Sequence, residues 1–185
     1  PPHIMNNCIE LETENYILRS MTENDVTEKY LSWMKDYEVT RTLDTDGEKQ
    51  TIESLKEYVR SYLANGSFVF GIYTKEGKQI GTHSFFLWKE NKVARIGVMI
   101  GDKSYWGKCV PLETRSRLLN YAFVTLGCKK VEASCDSINI AAIYNFVKQG
   151  WTKEGVLRAH RIVDNQPVDC ILFGLLDHEW KTKRK

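Results

Sequence analysis

The chain has 185 residues, 42% hydrophobic and 27% charged, with a formal net charge of +2. That is one domain at the usual ~150 residues per domain, long enough to bury a core without disulfide or metal staples. The near-neutral charge argues against a nucleic-acid surface, and no apolar run approaches the ~20 residues of a membrane span. The five cysteines (Cys8, Cys109, Cys128, Cys135, Cys170) show no C-x-x-C spacing; they read as free thiols of a reducing cytoplasm, and no metal site is expected.

Met5 is read as the native start and residues 1–4 as a processed or added end. No repeat or low-complexity linker interrupts the chain, so residues 5–180 are expected to form a single domain. The basic residues 181–185 follow as a solvated tail. Ile9–Ser20 reads as an opening strand. Thr22, with Asp25 three residues on, resembles an N-cap for a helix carrying Val26, Tyr30, Trp33 and Met34. A loop over Thr42–Gln50 breaks it. Thr51 caps a second helix with Ile52, Leu55, Val59, Tyr62 and Leu63 on one face, stopped by Asn65-Gly66. The period then changes to that of strands: Phe68–Tyr73, Gln79–Trp88 and Val93–Ile100 read as an antiparallel meander. After a Gly101–Lys108 loop, Leu112–Leu126 returns to helical spacing, with Leu112, Leu119, Ala122, Phe123 and Leu126 on one face and Gly127 as its stop. A short strand over Lys130–Cys135 precedes a helix capped by Asn139 and ended by Gly150. Two strands near Thr152–Val163 and Val168–Leu176, joined by Asp164-Asn165, complete a β-α-α-β-β-β-α-β-α-β-β order. The strand–helix–strand step allows one parallel pair in an otherwise antiparallel sheet.

The segment Ile96–Pro111 runs from a strand through a Gly/Lys loop into a helix start. Free N–H groups at a helix N-terminus form an anion site, Gly107 lets backbone approach a phosphate, and Lys108 adds charge. The spacing fits neither a Walker loop nor a dinucleotide fingerprint. Taken alone, the loop fits a plain strand–helix connection with a solvated Lys108 equally well.

The order of elements, together with three motifs, resembles the GNAT superfamily of acetyl-CoA-dependent N-acetyltransferases over Ile9–Trp180. The motifs are Trp106-Gly107-Lys108-Cys109-Val110-Pro111; Asn139-Ile140-Ala141-Ala142 with Lys148-Gln149-Gly150-Trp151; and Glu154–Arg158 with Val168-Asp169. The last is similar to the branch that includes ribosomal-protein N-terminal acetyltransferases. The Ile100–Lys108 block is similar to acetyltransferases of nucleotide-linked amino sugars. The resemblance implies an α/β (α+β) fold with a mixed, mostly antiparallel sheet flanked by helices. It implies acetyl-CoA as cosubstrate, with the backbone of Val98, Met99 and Ile100 pairing with pantetheine. The amides of Trp106, Gly107, Lys108, Cys109, Val110 and Pro111 would hold the pyrophosphate. Asn139 would hold the pantetheine arm, and Phe146 and Lys148 would lie beside the cofactor. Trp33 and Arg41 sit where the family builds its acceptor wall. The implied partner is a small-molecule amine or a protein N-terminus, with no nucleic acid and no membrane. A homodimer is compatible with the resemblance, although no segment specifies an interface.

Several positions depart from the family pattern. Cys109 stands at a loop glycine, so a positive φ there would cost energy. Pro111 removes one N–H donor, although Pro is tolerated in a first helical turn. Cys109 at a helix N-terminus raises a thiol-catalysis reading beside that of a packed loop residue. Phe146 stands where the family acid is a Tyr, Ala142 where some relatives carry a serine, and Arg95 where a glutamate base is usual. Tyr144 is roughly 200° around the helix from 146. Tyr144 therefore does not simply replace the family Tyr; His83, on a neighbouring strand and titrating near neutrality, is the best-placed base, beside the reading of a hydrogen-bonded sheet histidine, and Tyr144 is the other catalytic candidate, beside that of a core or rim aromatic. Glu113, His160 and Asp169 are further candidates with surface roles expected. The expected activity is direct acetyl transfer from acetyl-CoA to a primary amine, that of a nucleotide-linked amino sugar first, with a protein N-terminus or a degenerate acyl-CoA-binding module as the alternatives.

Overall fold

A computed structural model describes residues 8–181; the expectations for residues 1–4 and 182–185 lie outside the described residues. The segment read as one opening strand folds back on itself as β1 (Glu10–Glu12) and β2 (Tyr16–Ser20), which pair antiparallel. The break is fixed by Thr13, whose N–H donates to the Tyr16 carbonyl at 2.9 Å. Glu113, far along the chain, accepts from the Thr13 hydroxyl and the Asn15 N–H, each at 2.7 Å. Its carboxyl is therefore committed to fixing this turn. Burial raises its pKa, but the Asn15 and Thr13 hydrogen bonds outweigh that and leave it lowered.

Thr22 and Asp25 form a capping box, but around a short 3-10 turn at Glu23–Asp25. The helix proper, α1 (Glu28–Lys35), begins behind Thr27, whose hydroxyl accepts the Tyr30 N–H at 3.1 Å. Val26 thus lies outside it. Asp36 ends α1 and caps the single turn α2 (Tyr37–Thr40). Thr51 caps α3 (Ile52–Ala64) with a reciprocal Ser54 bond, and Leu55 and Val59 are buried. β3 (Phe68–Thr74), β4 (Gln79–Trp88) and β5 (Val93–Ile100) form the expected meander. α4 (Val110–Asn120) starts earlier than its apolar period suggests, with Cys109 as N-cap, and gives way to a π-type turn over Tyr121–Thr125. β6 (Lys130–Asp136), α5 (Ile140–Gln149), β7 (Thr152–Val163), β8 (Gln166–Leu176) and α6 (Asp177–Lys181) follow. Asp164 and Asn165 both take positive φ (51° and 59°), the conformation that suits a two-residue hairpin.

All strands join one eight-stranded sheet in the order β1-β2-β3-β4-β5-β6-β8-β7. Val69 and Phe70 are sequence neighbours on β3 and enter different core clusters, as strand alternation requires. Phe70 joins Phe85, Leu118, Leu119 and Phe146. Val69 joins Trp33, Leu55, Val59 and Met99. Each buried side chain of this size contributes ~1.5–3 kcal/mol, so both faces of the sheet are clamped.

The pair β5–β6 is parallel and short. It links Val93, Ala94 and Arg95 to Lys130, Val131 and Glu132. Beyond that point β5 stays on β4 through Ile100, while β6 stays on β8 through Asp136. The two strands therefore part, and a wedge opens between residues 96–100 and 133–136.

Candidate functional site

The wedge has a defined backbone polarity. The Gly101 N–H donates to the Ile80 carbonyl at 2.9 Å. Backbone groups alternate in direction along an antiparallel ladder. Met99 and Gly97 therefore turn theirs to β4, while Ile96, Val98 and Ile100 turn theirs into the wedge. Among the described residues, no strand pairs with that edge beyond the Arg95–Glu132 pairing. The Ile100 carbonyl is already taken by the Trp106 indole N–H at 2.9 Å. The Arg95–Glu132 pairing engages the Ile96 N–H, which leaves the Ile96 carbonyl and Val98 as the open, strand-like edge for an extended amide chain. Of the three residues expected to pair with pantetheine, Val98 fits. Met99 faces β4, and Ile100 has its carbonyl capped.

Two cavities meet at this edge. One, of about 410 Å³, lies between β5, β6, α5 and the β7–β8 hairpin. Its walls include His83, Gly97, Val98, Arg115, Asn139 and Phe146. The other, of about 720 Å³, lies against α1, α3 and β4, and its walls include Tyr30, Tyr58, Thr82, Ser84, Val98 and Met99. They share Leu43, Asp44, Arg95, Ile96, Gly97, Val98 and Ser134. The first is closed by side chains from β7: Arg161 pairs with buried Asp136 and donates to the Leu43 carbonyl at 2.6 Å. Arg41 pairs with Asp164 at 2.7 Å, and the Tyr37 hydroxyl donates to the same carboxylate. Arg41, expected in the acceptor wall, instead ties α2 to the hairpin tip.

At the outer end of the free edge stands the Gly/Lys loop. Gly107 has φ 75° and Cys109 φ 59°. Pro111 occupies the first turn of α4 without a hydrogen to donate. Among the described residues, the N–H groups of Gly107, Cys109, Val110 and Leu112 have no backbone acceptor, which makes a nest of donors at a helix N-terminus. Lys108 stands over the Tyr105 ring at 5.2 Å. Lys103, a neighbouring positive charge, is neutralised by Asp36 and Glu38 at 2.8 and 2.6 Å. The loop forms no wall of either cavity, so the exposed Cys109 thiol stands away from the wedge and the thiol-catalysis reading has no geometric support.

His83 plays a different part from the expected base. It is fully buried, with Nδ1 3.2 Å from the Gly97 carbonyl and Nε2 2.7 Å from the Thr114 hydroxyl. Burial first, and the Arg115 charge second, hold its pKa down near about 3. The ring is neutral at physiological pH and carries one N–H between two partners, the Gly97 carbonyl and the Thr114 hydroxyl, which itself donates to the Val110 carbonyl at 2.7 Å. It couples β5 to α4 and is too weak a base to take an amine's proton. Tyr144 is 63% exposed, belongs to neither cavity wall and lies 5.8 Å under the Lys148 ammonium. It is not placed to act as the acid, and Lys148 points with it to the outside. Trp33 is buried against Gly101 in the α1–α3 core rather than in a cavity wall. Asn139 does reach the first cavity, but its side-chain oxygen caps α5 by accepting the Ala142 N–H at 3.1 Å. Phe146 also lines that cavity, stacked on Phe173 at 4.6 Å.

Sequence reasoning missed Arg115, Arg161, Ser134 and the hydroxyl wall of Tyr30, Tyr58, Thr82 and Ser84. Arg115 left one signal: it interrupts the apolar stripe between Leu112 and Leu119, where a charge is out of place.

A family model described as an acetyltransferase (GNAT) domain matches residues 15–152. The chain is 28% identical over 171 residues to the uncharacterized N-acetyltransferase YoaA of Bacillus subtilis, covering 90% of this chain and 96% of that protein. Its fold matches the spermidine N-acetyltransferase of Vibrio cholerae, solved in complex with CoA and spermine. There the TM-score is 0.82 at 16% identity, over 90% of this chain and 98% of that one. It also matches a ribosomal-protein-S5-alanine acetyltransferase of Vibrio fischeri, with a TM-score of 0.78 at 19% identity, over 93% and 98%.

Proposed function

The chain belongs to the GNAT acetyltransferase family and is an N-acetyltransferase of that type, and from that premise we propose that it moves the acetyl group of acetyl-CoA directly onto the amine of an amino sugar. The observation that carries this reading is the meeting of the two cavities at the open edge of the Ile96 carbonyl and Val98. An extended pantetheine arm fits that edge. The donor nest at Gly107–Leu112, with Lys108, fits a pyrophosphate at its outer end. Acetyl-CoA supplies the activated thioester; the chain supplies binding, orientation and charge stabilisation.

The acceptor belongs in the second cavity. Its wall is rich in hydroxyls, and its two carboxylates each face an arginine, Asp44 facing Arg161 at 3.6 Å and Glu57 facing Arg60 at 2.7 Å. Such a wall suits a neutral, hydroxylated acceptor better than a polycation. Among the described residues that the two cavities share, none is a histidine; His160 lines the first cavity alone. Burial pushes Tyr30 up to about 12, pushes Tyr58 up as well, and pushes His83 down. The amine therefore enters in its neutral form and gives its proton to water. The Val98 N–H is available to the developing carbonyl oxyanion, a preorganised contact of the oxyanion-hole kind.

The test is thiol release from acetyl-CoA with free and nucleotide-linked amino sugars, a spermidine control and peptides with free N-termini. Release with amino sugars is the expected result. Release with peptides alone would replace the sugar by a protein N-terminus. CoA binding without release for any amine would reduce the protein to a binding module.

A further inference from the structure

Arg115 projects from α4 into the interior and is 3% exposed. Its Nε donates to the Gln149 side-chain oxygen at 2.6 Å. Gln149 is itself held by the Trp151 indole N–H at 2.9 Å and by its own bond to Ser116 at 3.0 Å. The guanidinium carbon lies 4.2 Å from the centre of the Phe146 ring and 5.8 Å from that of Trp151. One end of the guanidinium is thereby locked. The other is not: Nη2 is buried and has no hydrogen-bond partner. Arg115 also makes no ion pair among the described residues. Burying a cation without a counter-ion is costly, and a buried donor left without an acceptor adds to that cost. An uncompensated group of this kind, in the wall of a substrate cavity, is what an anion formed during a reaction would satisfy.

We propose that Arg115 is a catalytic residue whose free guanidinium N–H receives the sulfur of CoA as it leaves. This rests on the acetyl-transfer reading above. Arg115 lines the first cavity and not the acceptor cavity. With the acetyl carbon turned to the acceptor cavity, the sulfur and the pantetheine arm lie along the open edge on the side of the first cavity, whose walls Arg115 and Phe146 share. The amine nitrogen forms a C–N bond and the carbonyl π pair moves to oxygen. When that pair returns, the C–S bond breaks and its electrons go to sulfur. The nitrogen loses a proton to water, and the thiolate beside Arg115 takes one from water on release. Burial lowers the Arg115 pKa only to about 10, so the charge is present throughout the neutral range. Phe146 has no proton to give, and the arrangement does not need one.

The experiment titrates the thiol of CoA bound to the full chain, following thiolate absorbance against pH. The titratable groups facing Arg115 are His83 on β4 and Cys135 on β6. The first is held neutral, and burial pushes the second up to about 11; the signal is read as the difference from the CoA-free protein, which cancels the chain's own thiols and tyrosines. In the unaltered protein, the midpoint of bound CoA is expected about one pH unit or more below that of free CoA. Arg115→Gln is expected to return it to the free value and to lower kcat about 10²–10³-fold, with the KM for acetyl-CoA little changed. Arg115→Lys, which keeps a charge, is expected to fall between. If Arg115→Gln does not fold, the unaltered protein and Arg115→Lys still decide the matter. A bound thiol that titrates as free CoA, or one unmoved by the Gln substitution, overturns the proposal while leaving acetyl transfer standing. Failure of CoA to bind at all overturns both.

Discussion

His83 links the interior chemistry to a measurable stability. Its imidazole is fully buried and held near pKa about 3, against an ordinary value of 6.5. The unfolded chain binds a proton at this position once pH drops below 6.5, whereas the folded chain excludes it until about 3. The stability associated with the neutral ring is therefore complete above pH 6.5 and is lost progressively as pH falls toward 3. At 1.36 kcal/mol per pH unit, the loss is about 1.4 kcal/mol at pH 5.5 and about 3 kcal/mol at pH 4.5. That is a large part of the 5–15 kcal/mol typical of a domain. The perturbation is His83→Gln, which stays neutral and keeps a donor and an acceptor. Urea unfolding followed by circular dichroism at pH 7.5, 5.5 and 4.5 gives the comparison. At pH 7.5 the variant is expected to be less stable, because the Gly97 and Thr114 bonds are disturbed. Its deficit should shrink by about 1.4 kcal/mol at pH 5.5 and by about 3 kcal/mol at pH 4.5. The carboxylates titrate equally in both proteins and cancel. A deficit that stays constant with pH would refute the buried neutral imidazole.

Other expectations follow from single contacts. Lys108→Ala should raise the KM for acetyl-CoA with kcat nearly unchanged; steady-state kinetics with an unmoved KM would remove the loop from the phosphate site. Cys109→Gly relieves a side chain at φ 59° and should raise stability by about 0.5–1 kcal/mol while preserving CoA affinity, as read by denaturation and calorimetry. Gly101→Ala would place a Cβ 2.0 Å from the Trp33 ring. It should destabilise by about 1–3 kcal/mol through overpacking, visible as a lowered Tm. Asp164→Asn breaks the exposed pair with Arg41, worth at most about 1 kcal/mol. Its effect should therefore appear in KM, through a looser cavity closure, and hardly in Tm.

The apolar period of the α3 segment, the Asn139 cap and Gly150 stop of α5, the β3–β5 meander and the turn at Asp164-Asn165 all specify themselves locally, and each stands where sequence patterning places it. The opening segment does not. Tyr16–Ser20 carries strand character, but the turn at Thr13–Asn15 depends on Glu113, about a hundred residues away. The start of α1 went to Thr27 because Thr22 and Asp25 spend their capping bonds on a short 3-10 turn. Both outcomes depend on competition between caps that local pattern does not rank.

The candidate site divides in the same way. The loop, the glycine at 107 and the helix start at Val110 are legible because an anion site made of backbone N–H groups needs only a strand, a turn and a helix in succession. Side-chain roles depend on which strands neighbour and where they part. His83 reads as a titrating base until β5 and α4 enclose it, and desolvation removes that role. Tyr144 and Phe146 share a helix, but packing turns one outward and buries the other. Arg115 stands on the apolar stripe of its helix, but only the packing of that face against Phe146 and Gln149 shows how its charge is held. The sequence alone determined most of the elements, the family likeness and the Gly/Lys loop before α4, because these follow from local spacing. The tertiary structure decided the wedge between β5 and β6, the neutral histidine and the unpaired guanidinium, because burial and charge compensation are properties of neighbours distant in sequence.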